Sequence, residues 1–120
     1  MKNVIQKLGI TEEKIKKINI KYPDRIPVII TTPPKSLFYK KNNDFTLTKH
    51  KYIAPNDCTV SQFIYFVRKY EKLESTVAIF LLIDGKYLIS GNTLITDVYN
   101  EYGDNKGYIH AIITKENTFG

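Results

Sequence analysis

The sequence predicts a single α+β domain, with a central helix laid across one face of a sheet of short strands. Three observations carry this prediction. β-Branched runs alternate with stretches whose apolar residues recur at helical spacing, a capping box opens the longest such stretch at Thr59, and the apolar run VAIFLLI ends in the hairpin signal Asp84-Gly85. A chain of 120 residues lies in the size range of one domain and buries roughly two-thirds of its unfolded surface.

In chain order, a short helix is expected over Lys2 to Leu8. Thr11 can cap a second helix, with Glu12 and Glu13 placing negative charge in its first turn and Ile10 and Ile15 at staple positions. Ile15, Ile18 and Tyr22 continue one face, and Pro23 ends the helix near Lys21. The β-branched run from Ile26 to Thr32 reads as a strand, with Pro27 confined to its first part or to an unpaired side. Pro33-Pro34 and Lys40-Lys41-Asn42-Asn43 mark a solvated loop up to Asp44, and Lys49 to Ala54 reads as a second strand closed by Pro55.

Val60, Phe63, Ile64 and Val67 form the stripe of the central amphipathic helix, which runs from the Thr59 cap to about Glu71. Val77 to Ile83 reads as a buried strand, and Lys86 to Ile89 as its short return. Leu94, Ile95, Val98 and Tyr102 place a helix over Thr93 to Tyr102, stopped by Gly103, and Tyr108 to Thr114 is the last strand. No internal repeat or second domain is evident.

Composition bounds the function. A hydrophobic fraction of 42%, with 9 Tyr and 6 Phe, supplies one core without metals or crosslinks. The lone Cys58 forms no internal disulfide, and MKNVIQKLGI is too short and polar for a signal peptide, which points to cytosol or nucleus. VAIFLLI has strand length, far short of a membrane span. A formal charge of +6 and a pI near 9.3 suit nucleic acid, an anionic membrane surface or an acidic protein segment.

Catalytic readings fare poorly. No glycine-rich context surrounds Cys58, and only His50 and His110 offer a base, so an inert thiol is expected. The sequence lacks ligand-spaced metal clusters and phosphate-cradling glycine loops, so no cofactor is called for, and Glu12-Glu13 suits helix electrostatics better than acid–base work. Tyr65, Tyr70 and Tyr99 are interleaved with basic residues but fall in no RNA-binding signature, which disfavours nucleic acid.

Four segments carry a resemblance: KYPDRIPVI from Lys21, KYIAP from Lys51, TVSQFIYFVRK from Thr59, and the terminal ENTFG. In order and spacing, over residues 11 to 120, they resemble the autophagy ubiquitin-like modifiers of the GABARAP and microtubule-associated light chain type. The resemblance implies a ubiquitin-like β-grasp with two additional N-terminal helices: residues 1–22 as helical extension, 23–114 as core and 115–120 as conjugation tail. Thr114 onward then leaves the sheet, with Phe119 as a recognition handle.

In that family an E1-like enzyme activates the terminal glycine, here Gly120. An E2-like enzyme then passes it to phosphatidylethanolamine, and a cysteine protease processes and deconjugates it. A glycine on an exposed tail suits this chemistry, because its carbonyl meets least obstruction in narrow enzyme channels. The resemblance further implies a cytoplasmic protein that becomes attached to autophagosomal membrane and recruits cargo receptors bearing a short aromatic-x-x-aliphatic motif. A peptide can add to an exposed edge strand with two apolar pockets reading alternate side chains.

By the family's pattern the first pocket uses Ile18, Pro27, Ile29, Lys51, Ile53 and Tyr108. The second uses Tyr52, Pro55, Phe63, Phe66 and Val67, with Cys58 at its rim. Lys49, His50, Lys51 and Arg68 would attract acidic residues of the partner. Apolar members of both sets equally suit an ordinary core, and the basic ones an ordinary solvated face. The chain departs from the family at Lys14, where an acidic residue is common, at Tyr70, where a basic one is usual, and in a longer loop after Thr31-Thr32-Pro33. Two further readings stay open: attachment of Gly120 to a protein lysine, as in the autophagy twelve-type conjugate, and an unconjugated peptide- or microtubule-binding scaffold.

Overall fold

A computed structural model describes residues 4–33 and 47–115. The loop predicted over 33–44 and the tail with Phe119 and Gly120 therefore lie largely or wholly outside the described residues. In chain order the elements are α1 (Val4–Lys7), α2 (Glu12–Lys21), β1 (Arg25–Thr31), β2 (Lys51–Pro55), α3 (Val60–Tyr70), β3 (Phe80–Ile83), β4 (Tyr87–Leu88), α4 (Ile95–Tyr102) and β5 (Ile109–Thr114). The strands form one mixed sheet in the order β2-β1-β5-β3-β4, in which only β1 and β5 run parallel.

Local chemistry explains the boundaries. Thr11 Oγ1 accepts from the Lys14 amide at 3.2 Å and starts α2. At α3 the capping box is complete, Gln62 N donating to Thr59 Oγ1 at 3.1 Å and Thr59 N donating to Gln62 Oε1 at 2.8 Å. Lys86 N donates to Ile83 O across Asp84 and Gly85, both at positive φ (54° and 72°), which makes a tight hairpin turn. Pro27 faces Ile53 of β2, and the β1–β5 ladder begins only at Val28, so the missing proline N–H interrupts no bond there.

The two faces of the sheet bury different clusters. Ile26, Val28 and Ile30 of β1, Tyr52 and Ala54 of β2, and Ile109, Ala111 and Ile113 of β5 pack with Phe63 and Val67 of α3 in the main core. On the opposite face, Ile29 packs with Ile5 and Ile15 from the N-terminal helices, flanked by Ile10 and Tyr108. The fold is thus an α+β sheet carrying α3 on one side and the added helices on the other, consistent with a ubiquitin-like β-grasp.

Several expected boundaries move, two of them because side chains intercept backbone groups. β2 begins at Lys51 rather than Lys49, since the Thr48 and Lys49 amides donate to the Glu71 carboxylate. β3 begins at Phe80 rather than Val77, since the Val77 carbonyl accepts from Arg68. α4 begins at Ile95 with no side-chain cap, its preceding Leu94 bridged to Thr59. Thr114 is no exit point: it pairs with Phe80 and is 1% exposed.

Candidate partner-binding site

The register places much of the expected first pocket on one surface. Pro27 faces Ile53 and Ile29 faces Lys51 across the antiparallel ladder, while Tyr108 enters β5 beside Ile29, all on the face that carries α1 and α2. Pro27 and Ile29 are fully buried and form the floor, whereas Ile53 and Ile18 are half-buried and Lys51 is exposed. Among the described residues β2 is an edge strand, bonded only to β1. Ile30 N donates to His50 O at 2.7 Å, so even-numbered residues of β2 turn their backbone groups toward β1. The backbone groups of Lys51 and Ile53 therefore turn outward, and Pro55, having no N–H, closes the donor row.

Beside this edge lies a cleft of about 310 Å³ lined by Leu8, Gly9, Ile10, Lys14, Lys49, His50 and Lys51. Every ionisable side chain lining it is basic. Lys14 Nζ donates to Gly9 O at 2.9 Å, holding the ammonium against the turn between α1 and α2. His50 Nδ1 lies 2.8 Å from Ile30 O, and because a carbonyl only accepts, Nδ1 carries the proton. Lys49 Nζ sits 5.0 Å from the ring centroids of both Tyr52 and Tyr70, a cation–π pair of contacts that gives Tyr70 a packing role.

The residues expected around a second pocket divide. Tyr52, Phe63 and Val67 are 7%, 2% and 1% exposed within the main core, with Cys58 among them. Phe66 is 47% exposed and Pro55 half-buried, so these two present surface. Arg68 is half-buried, its Nη1 donating to Glu74 O at 2.6 Å and Val77 O at 2.8 Å, which ties the end of α3 to the approach of β3.

The groups considered for chemistry are kept apart. Burial, helped by the Asp57 charge, pushes the Cys58 thiol up and keeps it protonated. His110 lies on the opposite sheet face from the Cys58 cluster, with Nε2 2.8 Å from Thr31 Oγ1. Burial, then the Lys106 charge, moves His110 below the ordinary 6.5. Among the described residues no group of His, Cys, Asp or Glu could hold a metal ion, and no helix is long and apolar enough to cross a membrane.

Sequence reading missed Glu71 on this surface, and Leu8, Gly9 and Ile10 in the cleft. Glu71 accepts four hydrogen bonds from Thr48, Lys49 and Tyr52. Its signal was available: an acidic residue closing a helix opposes the helix dipole and needs a local reason.

Comparison with known proteins adds the family. The family described as "Autophagy protein Atg8 ubiquitin like" matches residues 11–120. Human microtubule-associated protein 1 light chain 3 gamma is 30% identical over 113 residues, covering 94% of this chain and 74% of the relative. Autophagy-related protein 8e of Arabidopsis thaliana is 39% identical over 104 residues, covering 87% and 80%, and autophagy-related protein 8 of Mycosarcoma maydis is 38% identical over 104 residues, covering 87% and 82%. With the β-grasp sheet, its two N-terminal helices and the colinear motifs in place, this chain belongs to the Atg8 family of ubiquitin-like autophagy proteins.

Proposed function

We propose that the chain is a non-enzymatic modifier, joined through Gly120 to phosphatidylethanolamine, that recruits motif-bearing cargo receptors to the growing autophagosomal membrane. The observation that carries the recruitment half is the outward-turned backbone of Lys51 and Ile53, set between an apolar floor and a basic cleft. An aromatic-x-x-aliphatic segment added beside β2 would hydrogen-bond to that edge. Its aromatic residue would seat toward Ile18, Ile53 and Tyr108, its aliphatic residue toward Pro55 and Phe66, and its acidic flank beside Lys49, His50 and Lys51.

Family membership and the Phe119-Gly120 pair support conjugation, with E1-like and E2-like enzymes and a cysteine protease as its partners. The buried, protonated Cys58 supports a modifier rather than a hydrolase. Mass spectrometry of membrane fractions, with the activating enzymes present, tests the lipid half. A phosphatidylethanolamine adduct on Gly120 is expected, and its absence rejects the claim. A stable protein adduct in a denaturing gel would instead indicate attachment to a lysine. Full membrane localisation of a Gly120→Ala variant would indicate an unconjugated scaffold.

A further inference from the structure

Glu71 is a carboxylate at the end of a helix where a carboxylate is unfavourable. α3 closes with Arg68 and Lys69 in its last turn, which suit the negative pole, and then places Glu71 at its C-cap. The carboxylate is met by donors from one short segment. Oε1 accepts from Thr48 N at 3.0 Å, and Oε2 accepts from Thr48 Oγ1 at 3.0 Å, Lys49 N at 3.2 Å and Tyr52 Oη at 3.2 Å. The Lys49 side chain is gripped as well, between the Tyr52 and Tyr70 rings.

Backbone alternation gives this cluster a consequence for recognition. Odd-numbered residues around β2 turn away from β1, so the outward donor row would run through Lys49, Lys51 and Ile53. Glu71 occupies the first of these, and Pro55 lacks a donor at the far end. Among the described residues, Lys51 and Ile53 are left as the outward amide donors of this row.

We propose that Glu71 is a positioning residue that closes the upstream end of the β2 edge at Lys49, so that an added peptide strand pairs with Lys51 and Ile53 and with nothing before them. The proposal rests on the edge-strand reading of the site. It makes Glu71 a stop that fixes the partner's register, since a strand shifted by two residues would have to displace a carboxylate holding four donors. A slip of one residue is excluded by alternation itself, because it would turn the partner's side chains to the wrong face.

Residue-resolved amide exchange on the full chain tests this, for the wild type, Glu71→Ala and, as a control that spares the strand amides, Tyr52→Phe. A synthetic aromatic-x-x-aliphatic peptide is the probe. Without peptide, the Lys49 amide should exchange slowly in the wild type and Tyr52→Phe and roughly tenfold faster in Glu71→Ala, with the β1–β2 ladder amides unchanged. With peptide, the wild type should gain protection at Lys51 and Ile53 only, while Glu71→Ala should gain it at Lys49 too. Equal Lys49 exchange in wild type and Glu71→Ala overturns the proposal, as does faster exchange with an unchanged peptide footprint. No protection of Lys51 or Ile53 in the wild type overturns the edge-strand reading, and the proposal with it.

Discussion

Tyr52 and Phe63 meet edge to face with ring centroids 5.8 Å apart, so the strand proposed to receive a partner is pinned from beneath by the central helix. One residue along β2 in either direction, Lys51 and Ile53 point the opposite way. Binding and folding are thereby assigned to alternate side chains of one strand. Ile53→Glu should lower affinity for an aromatic-x-x-aliphatic peptide by tenfold or more, about 1.4 kcal/mol, at little cost in stability. Phe63→Ala, at a 2% exposed position, should cost about 3–5 kcal/mol of stability. Titration calorimetry beside urea denaturation separates the two effects, and unchanged affinity in Ile53→Glu would remove that side chain from the site.

Arg68 commits its Nη1 to two carbonyls, which gives it a scaffold role before any partner arrives. Arg68→Ala should destabilise the chain by about 1–3 kcal/mol, since the Glu74 and Val77 carbonyls lose a charged donor. Lysine should rescue little, because one ammonium reproduces the guanidinium geometry poorly. Limited proteolysis should show faster cleavage around residues 72–78, and a stability equal to wild type would contradict this assignment.

His110 makes stability pH-dependent with a defined sign. Its folded value is depressed, so between that value and the unfolded 6.5 the unfolded chain binds more protons than the folded one. This contribution is fully present above pH 6.5 and is lost as pH falls through the window below it. Denaturant unfolding at pH 7.5 and at successively lower pH should show the loss, and His110→Asn should flatten it. A wild-type profile with no steeper acid limb than the variant's would count against burial of a neutral imidazole.

Gly103 closes α4 where no side chain fits. A Cβ there would lie 2.5 Å from the Tyr108 carbonyl oxygen, a backbone atom that cannot swing aside. Gly103→Ala should therefore cost about 1–3 kcal/mol, measurable as a lowered urea midpoint. Gly9→Ala, at φ 77° with open space around its Cβ, tests strain without collision and should cost less.

Much of this was legible in the sequence, for reasons that differ by element. The Thr11 and Thr59 caps, the Asp84-Gly85 turn and the α3 stripe are local patterns, read within four residues. The misplaced ends of β2 and β3 depend on Glu71 and Arg68, side chains that reach 22 and 9 positions along the chain, and no window of periodicity contains such a bond. Thr114 reads as polar and exposed, yet it pairs with Phe80 and is buried. At the site, alternation within β2 separates Lys51 and Ile53 from Tyr52, but placing Tyr108 beside them requires the parallel β1–β5 pair. The contribution of Leu8, Gly9 and Ile10 to the basic cleft likewise depends on how α1 and α2 fold back.

That parallel pair has a mechanical consequence. β5 is an inner strand, bonded to β1 on one side and to β3 on the other as far as Thr114. A load applied beyond Thr114 and resisted at the β2 edge would travel from β5 through β1, sliding strands past one another. Hydrogen bonds in such a shear geometry share the force instead of opening one at a time. A tether at this end would strain the sheet in its stiffest direction.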